Sequence, residues 1–166
     1  MRAINILQSP DTYHNFVDFR DKRSLYRRAF VYYLTQTVRD RVARLEKLPS
    51  ALAIRTFFDE IVERSVDDEQ RRGCMLVNAA LELAPYDPEL QKLVAEEMVF
   101  IEAFFRRCIE AGQKEGSIAD TRPAEELAKL LLSVLLGIRV LARTRPQREV
   151  LEGAANGVLA LLGKAP

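Results

Sequence analysis

Apolar positions along this chain recur every three or four residues from about residue 21 to the end, and no stretch alternates with the period of two that a strand requires. The pattern therefore predicts an all-α protein of about seven helices. The stretch Pro123–Arg143 is the most telling. Leu127, Leu130, Leu131, Val134, Leu135, Ile138 and Leu141 keep the i, i+3, i+4, i+7 spacing of one buried face, and Leu132, Leu136 and Val140 add a second. A helix apolar on two sides must bury both in water. The expectation is one face in its own core and the other against a second copy of the chain.

The remaining helices follow from stripes and punctuation. A long helix is expected from Asp21 to Leu48, stopped by Pro49-Ser50. A second covers Ala51–Arg64, with Leu52, Ile54, Phe57, Phe58, Ile61 and Val62 inward. The charged, aperiodic stretch Ser65–Arg72 is expected to be a loop, and Cys74–Ala84 a short helix. Asp87 is a good N-cap and Pro88 a good first residue for a helix reaching Glu115, with Gly116 suited to its C-cap. Pro146 opens a last helix ending near Gly163. Its stripe, Val150, Leu151, Ala154, Val158, Leu159 and Leu162, is interleaved with Gly153, Ala155, Gly157 and Ala160, which allow close helix approach. Paired with Pro123–Arg143, it would form a four-helix interface between two chains. Leu131, Leu135, Ile138, Val158, Leu159 and Leu162 are the expected contacts.

Composition narrows the class. With 166 residues, 48% of them apolar, the chain has enough for one packed domain. Its net charge is only +1, but residues 1–47 hold ten Lys/Arg against five Asp/Glu, so the N-terminal third is basic and the remainder acidic. That asymmetry fits either a polyanion contact or a solvated helix face. The longest uncharged apolar runs, Leu130–Ile138 and Gly153–Gly163, are too short to span a bilayer, and no apolar signal segment opens the chain. A cytoplasmic protein without membrane attachment is the expectation.

Catalytic chemistry finds little support. His14 is the one histidine, and nucleophile-elbow, phosphate-loop and HExxH motifs do not occur. The cysteines, Cys74 and Cys108, lack metal-ligand spacing, so neither a metal nor a cofactor is implied. Cys74 opens a helix after Arg71-Arg72, and both features lower a thiol pKa. It is a candidate redox or electrophile-sensing thiol, set against the plain alternative of a small buried residue.

Two segments carry a family resemblance. Arg72-Gly73-Cys74-Met75-Leu76-Val77-Asn78 is similar to an RGCLLVN-type segment of one branch of the TetR-type transcriptional regulators. The turn GSIADTRPAEELA and its following apolar helix resemble the C-terminal region of the same family. Upstream, Phe16-x-x-Phe19-x-x-Lys22-x-x-Leu25 fits the signature joining the recognition helix to the first regulatory helix. Thr12-Tyr13-His14-Asn15-Phe16 offers an alternative register. The resemblance implies a ligand-responsive regulator, usually a repressor released by a small-molecule inducer, with residues 22–166 as ligand-binding and dimerisation domain. Residues 1–21 would be a remnant of the helix-turn-helix. By the same resemblance Tyr13, His14 and Asn15 would face the DNA groove and Lys22 a phosphate. Tyr33, Phe57, Phe58, Asn78, Met98, Phe100 and Phe104 would line the ligand cavity.

The chain departs from the family pattern in having only 21 residues before Lys22, which predicts weak, salt-sensitive DNA binding with little sequence preference. The alternative class is a helical dimer that binds a ligand or a protein without reading DNA sequence.

Overall fold

The computed structural model describes residues 22–163, and every regular element among them is helical. The first rod comprises α1 (Lys22–Leu34), a π-helical stretch (Thr35–Arg39) and α2 (Asp40–Leu45). It is followed by α3 (Ser50–Val66), α4 (Met75–Glu82), a 3-10 turn (Ala84–Tyr86), α5 (Pro88–Glu115), α6 (Ala124–Thr144) and α7 (Arg148–Leu159). A second 3-10 turn (Ala160–Leu162) closes the described chain.

The expected helices are present, with shifted ends. The second runs two residues past Arg64, because Ser65 is not a loop residue: it is 3% exposed, and its hydroxyl donates to the Ile61 carbonyl at 2.6 Å. Pro123 stands at the N-cap of α6 in extended conformation, one residue before the helix begins. The π turn is unexpected. Thr35 and Thr37 donate back to the carbonyls of Val31 (3.1 Å) and Tyr33 (2.6 Å), bonds that compete with the regular ladder and bend a helix.

The long helix α5 organises the bundle. Its buried stripe runs Leu90, Val94, Glu97, Ile101, Phe104, Phe105, Cys108, Ile109 and Gly112, and it packs against α3 and α6. The Asp87 side chain caps it, accepting from the Glu89 and Leu90 amides at 3.2 Å each. Gly116 ends it in the left-handed conformation, φ 74°. Ile118 then folds back over Gly112, where an added Cβ would lie 2.6 Å from its Cδ1. Among the described residues, no helix is long and apolar enough to cross a membrane.

The centre of the core is aromatic. Phe57 packs against Phe105 and Phe104 with centroids 5.1 and 5.7 Å away, and Phe58 stacks on Phe105 at 5.8 Å. All four rings are at most 2% exposed. Of the expected cavity residues, Phe57, Phe58 and Phe104 are thus placed in the solid core rather than around a space. The reason is that they fall on the facing stripes of α3 and α5, where the rings pack directly against one another.

The expected pairing residues lie mostly inside the single chain. Leu131, Leu135, Ile138, Val158, Leu159 and Leu162 are all at most 7% exposed within the single chain. They belong to the core of the chain, on the stripe facing α3, α5 and each other's helix. On the outer side, α6 carries Leu130 and Val140, and the 3-10 turn after α7 carries Leu161, exposed by 38–46%. Gly137, Gly153 and Gly157 also lie there, with open space where a side chain would stand.

Candidate effector cavity

The turn before α4 is shaped by its residues. Asp68 accepts from the Gly73 amide at 3.1 Å and from the Arg72 guanidinium at 3.2 Å, while Arg71 adopts φ 50° and Gly73 φ 73°. At Gly73 a Cβ would meet the Arg143 side chain at 2.8 Å, so both backbone conformation and the overlying arginine demand glycine there. This turn delivers Cys74 to the N-cap of α4, with its side chain directed inward and 9% exposed.

Cys74 faces a cavity of about 30 Å³. Its walls come from Tyr33, the π turn (Thr37, Val38), α2 (Arg41), α3 (Arg64), α4 (Leu76, Val77), α5 (Ile101) and α6 (Leu135, Leu136, Arg139). The Tyr33 hydroxyl donates to the Cys74 sulfur at 3.9 Å. Arg139, only 6% exposed, donates to Ser65 Oγ at 2.8 Å. Burial pushes the Cys74 thiol up, but the Arg139 guanidinium, the Val77 amide and the Tyr33 hydroxyl outweigh it and hold the pKa below the ordinary thiol value. Tyr33 moves the other way, raised by burial and by Cys74. Cys108 supplies an internal contrast. Burial, reinforced by Glu46, pushes its thiol up to about 11.

Of the residues expected to bind a ligand, Tyr33 lines this cavity. Asn78 does not: its amide donates to the Arg72 carbonyl at 3.1 Å and accepts from Arg143 at 3.0 Å, bracing the turn. Met98 is half-buried against the core, and Phe100 lies under the Arg39 guanidinium, 4.9 Å from ring centroid to charge. Arg39, in the π turn, also reaches buried Glu97 of α5 at 2.9 Å, tying the first rod to the long helix. Sequence reasoning missed Arg41, Arg64 and Arg139, because an arginine on an amphipathic helix normally marks the wet side. The threonines at 35 and 37 were the available signal for the π turn.

At the other end, Arg23 and Arg27 of the basic cluster bind Asp87 at 2.6 and 2.9 Å. Arg23, together with the Leu90 amide and Arg27, outweighs desolvation and holds the Asp87 carboxyl well below the usual carboxylate range. Lys22 is exposed at the start of α1. Tyr13, His14 and Asn15 lie outside the described residues. Among the described residues, no group of His, Cys, Asp and Glu could hold a metal ion.

Residues 51–158 match the family model "Tetracyclin repressor-like, C-terminal domain". Over 143 residues the chain is 27% identical to an uncharacterized HTH-type transcriptional regulator, YezE, of Bacillus subtilis (strain 168), covering 85% of this chain and 74% of that protein. Its fold is similar to that of a cysteine mutant of the TetR family transcriptional regulator CifR in complex with 26-base-pair operator DNA. The TM-score is 0.76 at 30% identity, over 92% of this chain and 79% of that one. A TetR transcriptional regulator from Chloroflexus aurantiacus J-10-fl shares the fold, with a TM-score of 0.74 at 23% identity over 89% and 75% of the two chains. The helix order, the capped long α5 and the match over α3 to α7 agree: this chain belongs to the TetR family of transcriptional regulators.

Proposed function

We propose that this protein is a ligand-responsive repressor that binds operator DNA as a homodimer and is released by a small-molecule effector. The observation carrying this reading is the contact of the cavity with the first rod. Tyr33, Thr37, Val38 and Arg41 all come from the helix that runs toward the basic N-terminal end, and the π turn lies within that stretch. An occupant that alters the packing of the π turn acts on the rod's direction, provided it binds one arrangement better than the other. π turns recur at functional sites because they hold a helix in a locally irregular register.

Pairing is assigned to the outer face of α6 and α7. Leu130 and Val140 on one helix, with the bare backbone of Gly153 and Gly157 on the other, form an apolar and closely approachable surface. DNA contacts are assigned to residues 1–22, with Tyr13, His14 and Asn15 toward the groove and Lys22 toward a phosphate.

One observation favours the second reading, a helical dimer that does not read DNA sequence. Arg23 and Arg27 are engaged by Asp87, which reduces the charge the basic cluster offers to phosphates. Fluorescence anisotropy on duplexes tiling the DNA that flanks the gene separates the two. The repressor reading expects one duplex to be retained at physiological salt while random duplex is lost. Binding that disappears equally for all duplexes as salt rises supports the second reading.

A further inference from the structure

Arg139 poses a charge problem. It is 6% exposed, its guanidinium donates to the neutral Ser65 hydroxyl at 2.8 Å and lies against the Cys74 thiol, and no carboxylate among the described residues forms an ion pair with it. Other partly buried arginines are paired: Arg41 with Glu60, Arg27 with Asp87. Arg41 and Arg64 line the same cavity, and the Glu60 carboxylate that neutralises Arg41 is shared with Arg44. No acidic residue lines the cavity. Its other walls are apolar: Val38, Leu76, Val77, Ile101, Leu135 and Leu136. Burying an uncompensated charge is unfavourable unless something completes the pair.

We propose that the cavity takes an organic carboxylate, its head group on Arg139 and its hydrocarbon part against the Ile101–Leu135–Leu136 wall. The effector of the repressor is then an anion, so the inference rests on the ligand-responsive reading and names its ligand class. A guanidinium binds a carboxylate through two parallel charge-assisted bonds, which an uncharged isostere cannot reproduce. A cavity of about 30 Å³ has room for two or three water-sized groups, the size of a carboxylate head. A longer tail displaces Leu135 or Leu136, and Leu136 is only half-buried at the cavity's rim. The Tyr33 hydroxyl, which donates to the Cys74 sulfur at 3.9 Å, turns to the head group on binding and so links α6 to the first rod.

Cys74 gives the site a built-in reporter. Its thiolate and a bound carboxylate are two anions competing for one guanidinium. Occupancy therefore disfavours the thiolate and slows alkylation. The charged and titratable groups facing Cys74 are Tyr33, Arg64 and Arg139, with Arg41 across the cavity.

The test is the rate of Cys74 alkylation by iodoacetamide against pH in the full chain, with the modified peptide located by mass. Acetate, butyrate and benzoate are compared with acetamide, butyramide and benzamide at fixed ionic strength. The expected result is saturable protection by a carboxylate, a midpoint moved to higher pH, and at least about tenfold weaker protection by the matching amide. Arg139→Lys should keep part of the effect and Arg139→Met should lose it. Equal protection by acid and amide, or protection by neither, overturns the proposal. In the latter case an alkylation midpoint below the ordinary thiol range would identify the Cys74 thiolate as the anion that Arg139 serves. Operator release is read separately. A neutral compound that releases DNA without competing at Cys74 overturns the anion and leaves the repressor standing. A carboxylate that protects Cys74 but never alters DNA binding leaves the anion site standing and removes the repressor reading.

Discussion

Replacing Phe57 by alanine removes a ring that is 2% exposed and enclosed by Phe58, Phe104 and Phe105, with the Arg41 guanidinium 5.5 Å from its centroid on another side. Truncating a fully packed phenylalanine costs about 3–5 kcal/mol, because the lost transfer energy is joined by the cavity left behind. The neighbours are themselves large and rigid and fill the space poorly, which argues for the upper part of that range. Domains have roughly 5–15 kcal/mol in total, so the variant should lose a large fraction of its stability. The assay is urea denaturation followed by far-UV circular dichroism, at matched protein concentration because association adds to apparent stability. Tyr86→Ala, at a residue 86% exposed, serves as the control and should stay within about 0.5 kcal/mol of wild type. A Phe57→Ala loss below about 1 kcal/mol, with an unchanged denaturant slope, would refute the solid-core assignment. It would return Phe57 to the wall of a ligand space.

Leu161→Glu or Val140→Glu should yield folded monomers by light scattering, whereas Leu135→Glu should unfold the chain; a folded monomer from Leu135→Glu would reverse the assignment of faces. Gly112→Ala forces a Cβ onto Ile118 and should cost about 1–3 kcal/mol in thermal or urea unfolding. The variant Gly112→Ala/Ile118→Ala should recover part of the overpacking term. The Asp87 carboxyl is depressed in the folded state, so its contribution is present above the unfolded carboxylate pKa and fades as pH falls below it. Asp87→Asn should therefore show a shallower loss of stability below about pH 4 than wild type; identical acid profiles would exclude the Arg23–Asp87–Arg27 cluster as a source of acid sensitivity. Cys74 should react with iodoacetamide at neutral pH far faster than Cys108, and equal rates in the unliganded protein would contradict the opposed environments of the two thiols.

The sequence by itself determined the helices, their order and the caps that separate them. Stripes of period 3.6, Asp87 before Pro88, and Gly116 after Glu115 are local signals, each acting within a few residues, and they survive in the folded chain. The family resemblance was legible for a related reason: the Arg72-Gly73-Cys74 turn is fixed by local backbone geometry, a left-handed glycine bound through its amide to Asp68. Which apolar face meets which partner was not local. Leu131 and Leu135 have the same residue type as Leu130, yet two are core and one is exposed, and that assignment was made by the positions of α3, α5 and α7. The aromatic residues illustrate the same limit. Phe57 and Phe104 are separated by 47 positions, and only the crossing of α3 and α5 turned them from candidate cavity walls into each other's packing partners. Arg139 marks it most sharply. A charge on an apolar helix reads as a solvated side, and the tertiary structure alone closed Ser65, Cys74 and Tyr33 around it, because the field at a buried site is set by groups far apart in the chain.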